Sequence, residues 1–211
     1  MREYSIYEIS LIIIYSIFVV IRAYYKRKAI KSRWKKEAGR RERKTDSIIL
    51  GAVMAFEVST FIIFIFFNSL LDWAGLVLPD WVRITGIFLG IGSLCLFVVV
   101  HEALGRNYSS TIVIKKDHTL AMSGIYKWVR HPMYTAFYIL HFAVFMMTAN
   151  FFIGISWIAG LTILVAYRIP REEALMETEF GEAYAEYKRT TGLFLPRLKT
   201  IFVPEKDSVS D

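Results

Sequence analysis

Residues 132–167 read PMYTAFYILHFAVFMMTANFFIGISWIAGLTILVAY, 36 consecutive positions without an Asp, Glu, Lys or Arg. As one helix this stretch would reach about 54 Å at about 1.5 Å per residue, against a bilayer hydrocarbon core of about 30 Å. It must turn, and Thr148-Ala149-Asn150 at its midpoint is the natural place. The reading is a helical hairpin whose two ends return to one membrane face. Arg130 before it, and Arg168 with Arg171 after it, mark that face as cytoplasmic.

Three further apolar segments precede the hairpin: about Tyr4 to Tyr25, Ile48 to Leu71 and Trp81 to Val100. The expected fold is all-α, a polytopic integral membrane protein of about five transmembrane segments. The hairpin forms the last two, and a cytoplasmic C-terminal helix follows. Composition agrees: 55% of residues are hydrophobic, mean hydropathy is +0.41, and the 21% that are charged gather in blocks. Residues 26–44 hold eleven Lys or Arg against two Glu, which puts this loop in the cytosol and the N-terminus outside. The net charge of +7 is therefore read as a topology signal facing anionic lipid, with no nucleic-acid partner expected. Glu3 and Glu8 interrupt the first segment's flank and no small-residue cleavage site follows, so it reads as an anchor and not as a cleaved signal peptide. Asp72-Trp73 to Asp80-Trp81 suits an external turn with interfacial tryptophans.

Single residues inside the segments have bland readings. Gly86 and Gly90 form a GxxxG spacing in apolar company, which predicts close helix packing and no nucleotide loop. Glu57, the one charge of its segment, is expected to pair with a polar group on a neighbouring helix or to lie near the interface. Cys95 is expected to be an inert buried thiol, and no CxxC or other metal pattern exists. His101-Glu102 lacks the second His of HExxH. There is also no GxGxxG between a strand and a helix, no P-loop and no GxSxG.

Chemistry is left to two polar pieces that the hairpin brings together. The stretch 105–131 is too long and too aromatic for a plain linker, and Thr111 to Ile114 reads as a short extended piece. After the hairpin, Pro170 with Glu172 and Glu173 reads as the start of an amphipathic helix carrying Leu175, Phe180, Tyr184 and Tyr187, ended by Gly192 and Pro196. Residues 199–211 read as a flexible tail. The pieces would gather Tyr126, Arg130, His131, Tyr134, Arg168, Arg171, Glu172 and Glu173. On spacing alone Arg168 and Glu172, four apart, fit equally a snorkelling arginine with a capping carboxylate.

Gly124-Ile125-Tyr126, Arg130-His131-Pro132-Met133-Tyr134, Arg168 with Glu172-Glu173, and Phe180-Gly181-Glu182-Ala183-Tyr184-Ala185-Glu186-Tyr187 together resemble the isoprenylcysteine carboxyl methyltransferase family. Membrane phospholipid methyltransferases share much of the pattern. The resemblance covers roughly residues 90–197, so 90–198 is read as the methyltransferase core and 1–89 as anchoring helices with the basic loop. It implies S-adenosylmethionine bound without a Rossmann fold, near His118, Thr119, Leu120, Ala121, Tyr126, His131, Pro132, Met133 and Tyr134, with Glu172 closing the pocket. It also implies that Arg168 holds the carboxylate of a prenylcysteine-like lipid-linked substrate, with Arg168 and Glu172 as the catalytic pair. A glutamine that can contribute to the family's cofactor site has no counterpart near Val113. Three rivals stay open: N-methylation of a phospholipid amine with Glu173 or His131 as base, a non-catalytic membrane scaffold, and a sterol-type reductase that would need NADPH.

Overall fold

The computed structural model describes residues 4–33, 44–105 and 120–197, with backbone alone for 29–33 and 44–47. Among them are six α-helices: α1 (Ile6–Arg33), α2 (Lys44–Phe66), α3 (Asp80–Leu104), α4 (Pro132–Thr148), α5 (Phe151–Phe180) and α6 (Glu182–Thr190). Short 3-10 turns occupy Asn68–Ala74 and Gly124–Lys127. Residues 34–43, the expected extended piece at 111–114, His118, Thr119 and the tail from 199 lie outside the described residues.

Four helices, α1, α2, α3 and α5, are long and apolar enough to cross a membrane. α4 is apolar but has 17 residues, about 25 Å at about 1.5 Å per residue. The chain is an integral membrane protein built inside out relative to a soluble bundle. Its large apolar side chains point outward, as at Phe88 (69% exposed) and Ile163 (66%). Its polar groups pair within: Ser93 Oγ donates to the Ala136 carbonyl at 2.8 Å, and Trp157 Nε1 donates to Thr60 Oγ1 at 2.8 Å. Hydrocarbon offers no partner for such groups, so they face one another.

The hairpin turns where the sequence indicates. Ala149 takes left-handed backbone (φ 48°, ψ 41°) and closes α4 with its amide on the Phe145 carbonyl. Asn150 caps α5 by accepting from the Ile153 amide at 3.1 Å, and its Nδ2 donates to the Leu71 carbonyl at 2.9 Å. The Leu76 amide donates to Ala149 O at 2.7 Å. The tip is thus tied to the loop after α2, at the end of the bundle opposite the polar pieces.

Four expectations need correction. α2 ends at Phe66 and not at Leu71, because the chain enters a 3-10 turn at Asn68 whose Leu71 carbonyl receives Asn150. Pro170 does not start a helix: it lies inside α5, which runs unbroken to Phe180. The neighbouring Tyr167 carbonyl accepts from Arg171 Nη1 at 2.7 Å, which helps satisfy the backbone around the proline. The expected single amphipathic helix is divided at Gly181 (φ 52°) into the end of α5 and α6. Cys95, expected to be buried, is exposed, because α3 buries the face carrying Gly86, Gly90, Leu94 and Phe97. Glu57 does pair: its Oε1 lies 3.2 Å from His141 Nε2 on α4, whose Nδ1 is 2.8 Å from the Phe137 carbonyl.

The GxxxG spacing packs α3 against α4 at Gly86 and against Ile14 of α1 at Gly90. A Cβ at Gly86 would stand 2.8 Å from Met146 Cβ and 3.0 Å from the Ala143 carbonyl, whereas one at Gly92 would meet nothing within 4 Å. Gly86→Ala is therefore expected to cost about 1–3 kcal/mol by overpacking and to lower the melting temperature in detergent. Gly92→Ala in the same detergent should leave it unchanged or slightly raised. Equal melting of the two variants would show that α3 and α4 are not held this closely.

Candidate active site

The chain enters the polar face at Leu120 and Ala121, in coil before the 3-10 turn Gly124–Lys127. Tyr126 in that turn is buried, and its carbonyl accepts from the Tyr187 hydroxyl of α6 at 2.7 Å. Burial pushes the Tyr187 phenol up to about 12, so it stays a neutral donor at physiological pH. Pro132 opens α4 at its first turn, where a missing N–H costs nothing. It is fully buried, and Met133 packs on the main apolar core. Of the RHPxY run, Arg130, His131 and Tyr134 are the side chains that reach the carboxylates of α5.

Those carboxylates have separate partners. Glu172 Oε1 accepts from the Tyr134 hydroxyl at 2.8 Å and from Arg168 Nε at 3.2 Å, which links α4 to α5. Arg168 is 7% exposed. Glu172 Oε2 lies 3.7 Å from His131 Nδ1 and takes no hydrogen bond among the described residues. Glu173 is enclosed by cations: Arg130 Nε at 3.1 Å and Lys188 Nζ at 2.9 Å. His131 Nε2 stands 3.5 Å from Glu173 Oε1 but out of line for a hydrogen bond. The hydrogen bond to Glu173 raises the Lys188 ammonium above its usual range, with a second from Glu177 adding to it.

Arg130 also fastens the end of the described chain. Its Nη1 donates to the carbonyls of Lys188 (3.0 Å) and Thr191 (2.5 Å). Beside it the backbone zips in parallel: Arg130 N to Gly192 O at 2.8 Å, His131 N to Leu193 O at 3.0 Å, and Gly192 N to Trp128 O at 3.1 Å. Thr135 Oγ1 adds a bond to Phe194 O at 2.8 Å. This strap was not foreseen, because backbone pairing of residues some sixty apart leaves no side-chain pattern. Arg171, expected in the cluster, is not brought into it. Its guanidinium lies 3.5 Å over the Tyr167 ring.

Residues 84–178 match the Isoprenylcysteine carboxyl methyltransferase (ICMT) family. The stretch from within α3 to near the end of α5 is thus similar to that family. A protein-S-isoprenylcysteine O-methyltransferase from Homo sapiens is 29% identical over 133 residues, 62% of this chain and 47% of the relative. One from Schizosaccharomyces pombe is 31% identical over 112 residues, 50% of this chain and 48% of the relative. The chain thus spans about half the length of these curated relatives. A solved structure of a eukaryotic intramembrane Ras methyltransferase superposes with a TM-score of 0.52 at 22% identity, over 72% of this chain and 52% of the other. That likeness carries the fold. The family match begins within α3 and ends before Phe180, so it contains Arg168, Glu172, Glu173 and the RHPxY run but neither α2 nor α6.

Arg130→Ala is expected to strip a buried ion pair and two carbonyl contacts. It should cost about 3–5 kcal/mol, at the lower end because Lys188 remains on Glu173. Hydrogen exchange should speed selectively at the amides of His131 and Gly192. Unchanged protection there would show that the strap holds without the guanidinium.

Proposed function

We propose that the chain is a methyltransferase that uses S-adenosylmethionine to methylate the carboxylate of a prenylcysteine-like, lipid-linked acceptor at the cytoplasmic membrane face, with the N-terminus on the other side. The observation that carries this reading is the Tyr134–Glu172–Arg168 linkage at the open end of the hairpin, inside the family-matched stretch. S-adenosylmethionine supplies a methyl group on a sulfonium, together with an ammonium and a carboxylate by which it can be held. The side chains present suit such a molecule. Glu172 is the more open of the two carboxylates, and its Oε2 is available to accept from an ammonium. Among the described residues His131 Nε2 has no aligned partner. Tyr126 would offer an aromatic face, and His118, Thr119, Leu120 and Ala121 would contribute to the cofactor site by the motif.

Arg168 is the positioning cation. Glu172 holds it through Nε, and a guanidinium can meet an acceptor carboxylate in parallel bonds. It cannot act as a base, and none is needed, because a carboxylate is already ionised at neutral pH. The work left to the protein is alignment and exclusion of water. Methylation of a phospholipid amine would need a base to take a proton. Glu173, a candidate for that task, is held between Arg130 and Lys188, which favours the carboxylate reading.

Arg168→Ala is expected to abolish turnover of a prenylcysteine acceptor while calorimetry still detects S-adenosylhomocysteine binding. Glu172→Ala should weaken that binding directly. Near wild-type turnover in Arg168→Ala would remove that residue from its assigned role, and no binding by folded wild-type protein would end the methyltransferase reading.

The pH profile gives a separate test. Turnover limited by carboxylate methylation should be flat across neutral pH. An amine acceptor would instead make it rise about tenfold per pH unit below the amine pKa.

A further inference from the structure

At the membrane face opposite the candidate site, the start of α1, the 3-10 turn after α2, the start of α3 and the hairpin tip line an open cavity of about 290 Å³. Trp73 and Trp81 lie exposed at the same end (65% and 70%), the position of an interfacial aromatic belt, so the cavity sits at headgroup depth. Its wall carries both signs of charge: Arg83 on α3, Asp72 on the 3-10 turn and Glu8 on α1.

Arg83 is fixed in place. Its Nε and Nη2 donate to the Met147 carbonyl at 3.3 and 2.8 Å, and its guanidinium lies 3.8 Å over the Tyr7 ring. Tyr7 is itself tied to Asp80 by a bond of 2.8 Å. Among the described residues no carboxylate comes within ion-pair distance of Arg83, and Asp72 has no cation within that distance. An arginine is thus immobilised beside a cavity with no carboxylate paired to it among the described residues, and a carboxylate faces the same space. The volume is at the low end for small-ligand pockets, roughly 300 Å³, which suits a polar headgroup and not a whole lipid.

We infer that this cavity binds the headgroup of a zwitterionic aminophospholipid, with its phosphate on Arg83 and its ammonium towards Asp72. Guanidinium–phosphate bonds are charge-assisted, and an anionic lipid without an amine would leave Asp72 facing its phosphate. The bound headgroup touches four elements at once, including the hairpin tip, so occupancy stabilises the bundle. Methyl transfer at the other face plays no part in the argument.

The test uses the full chain in detergent, titrated separately with phosphatidylethanolamine, phosphatidylglycerol and tail-less phosphoethanolamine. Phosphatidylethanolamine should raise the melting temperature by about 5 °C and survive as a one-to-one adduct in native mass spectrometry. The other two should give less than half that shift. Arg83→Gln and the milder Asp72→Asn should each fold and lose most of the response. An equal shift from phosphatidylglycerol, with Asp72→Asn still responsive, would overturn the zwitterion assignment. An equal shift from phosphoethanolamine would overturn the lipid assignment. No shift from any of the three in wild-type protein would overturn the site itself.

Discussion

At Ala149 the backbone turns left-handed, and Asn150 caps the helix that returns. Such a reversal leaves amides and carbonyls that neither helix satisfies, and an ordered turn needs partners for them. The loop after α2 meets that need: its Leu71 carbonyl receives the Asn150 side chain, and its Leu76 amide reaches Ala149. With the tip anchored there, α4 and α5 lie side by side, and Tyr134 meets Glu172 at the far end. The polar face is therefore a consequence of how the opposite end of the hairpin is satisfied.

The same economy governs the interior. Glu57 and His141 lie on helices far apart in sequence, and they face each other because neither could stand alone among aliphatic neighbours. Phe137 O can only accept, so His141 Nδ1 donates to it and leaves Nε2 facing the Glu57 carboxyl. It joins α4 to α2, which the family match does not cover.

Much of this was legible in the sequence. Thirty-six uncharged residues dictate a hairpin by length alone, and Thr148 to Asn150 is where it turns. The Gly86–Gly90 spacing identified the α3 packing seam. Arg168, Glu172, Tyr134 and His131 do converge, as the motifs implied. The misreadings have physical causes. Pro170 looked like a helix start because proline favours that position, but a long helix already fixed by membrane packing absorbs one lost amide. Arg171 looked like part of the cluster because arginines seek carboxylates, yet Tyr167 one turn away offers a ring and a carbonyl. The strap at 191–194 left no trace, since main-chain pairing is indifferent to side-chain identity.

Glu172 and Glu173 are adjacent on one continuous helix, and successive residues of an α-helix point about 100° apart. The doublet therefore works as two sockets on a single axle. One faces the hairpin and its tyrosine; the other faces Arg130, Lys188 and the returning chain. His131 stands between the two, 3.7 Å from Glu172 Oε2 and 3.5 Å from Glu173 Oε1, and its amide belongs to the strap. A disturbance of the second socket therefore reaches the first through that one imidazole.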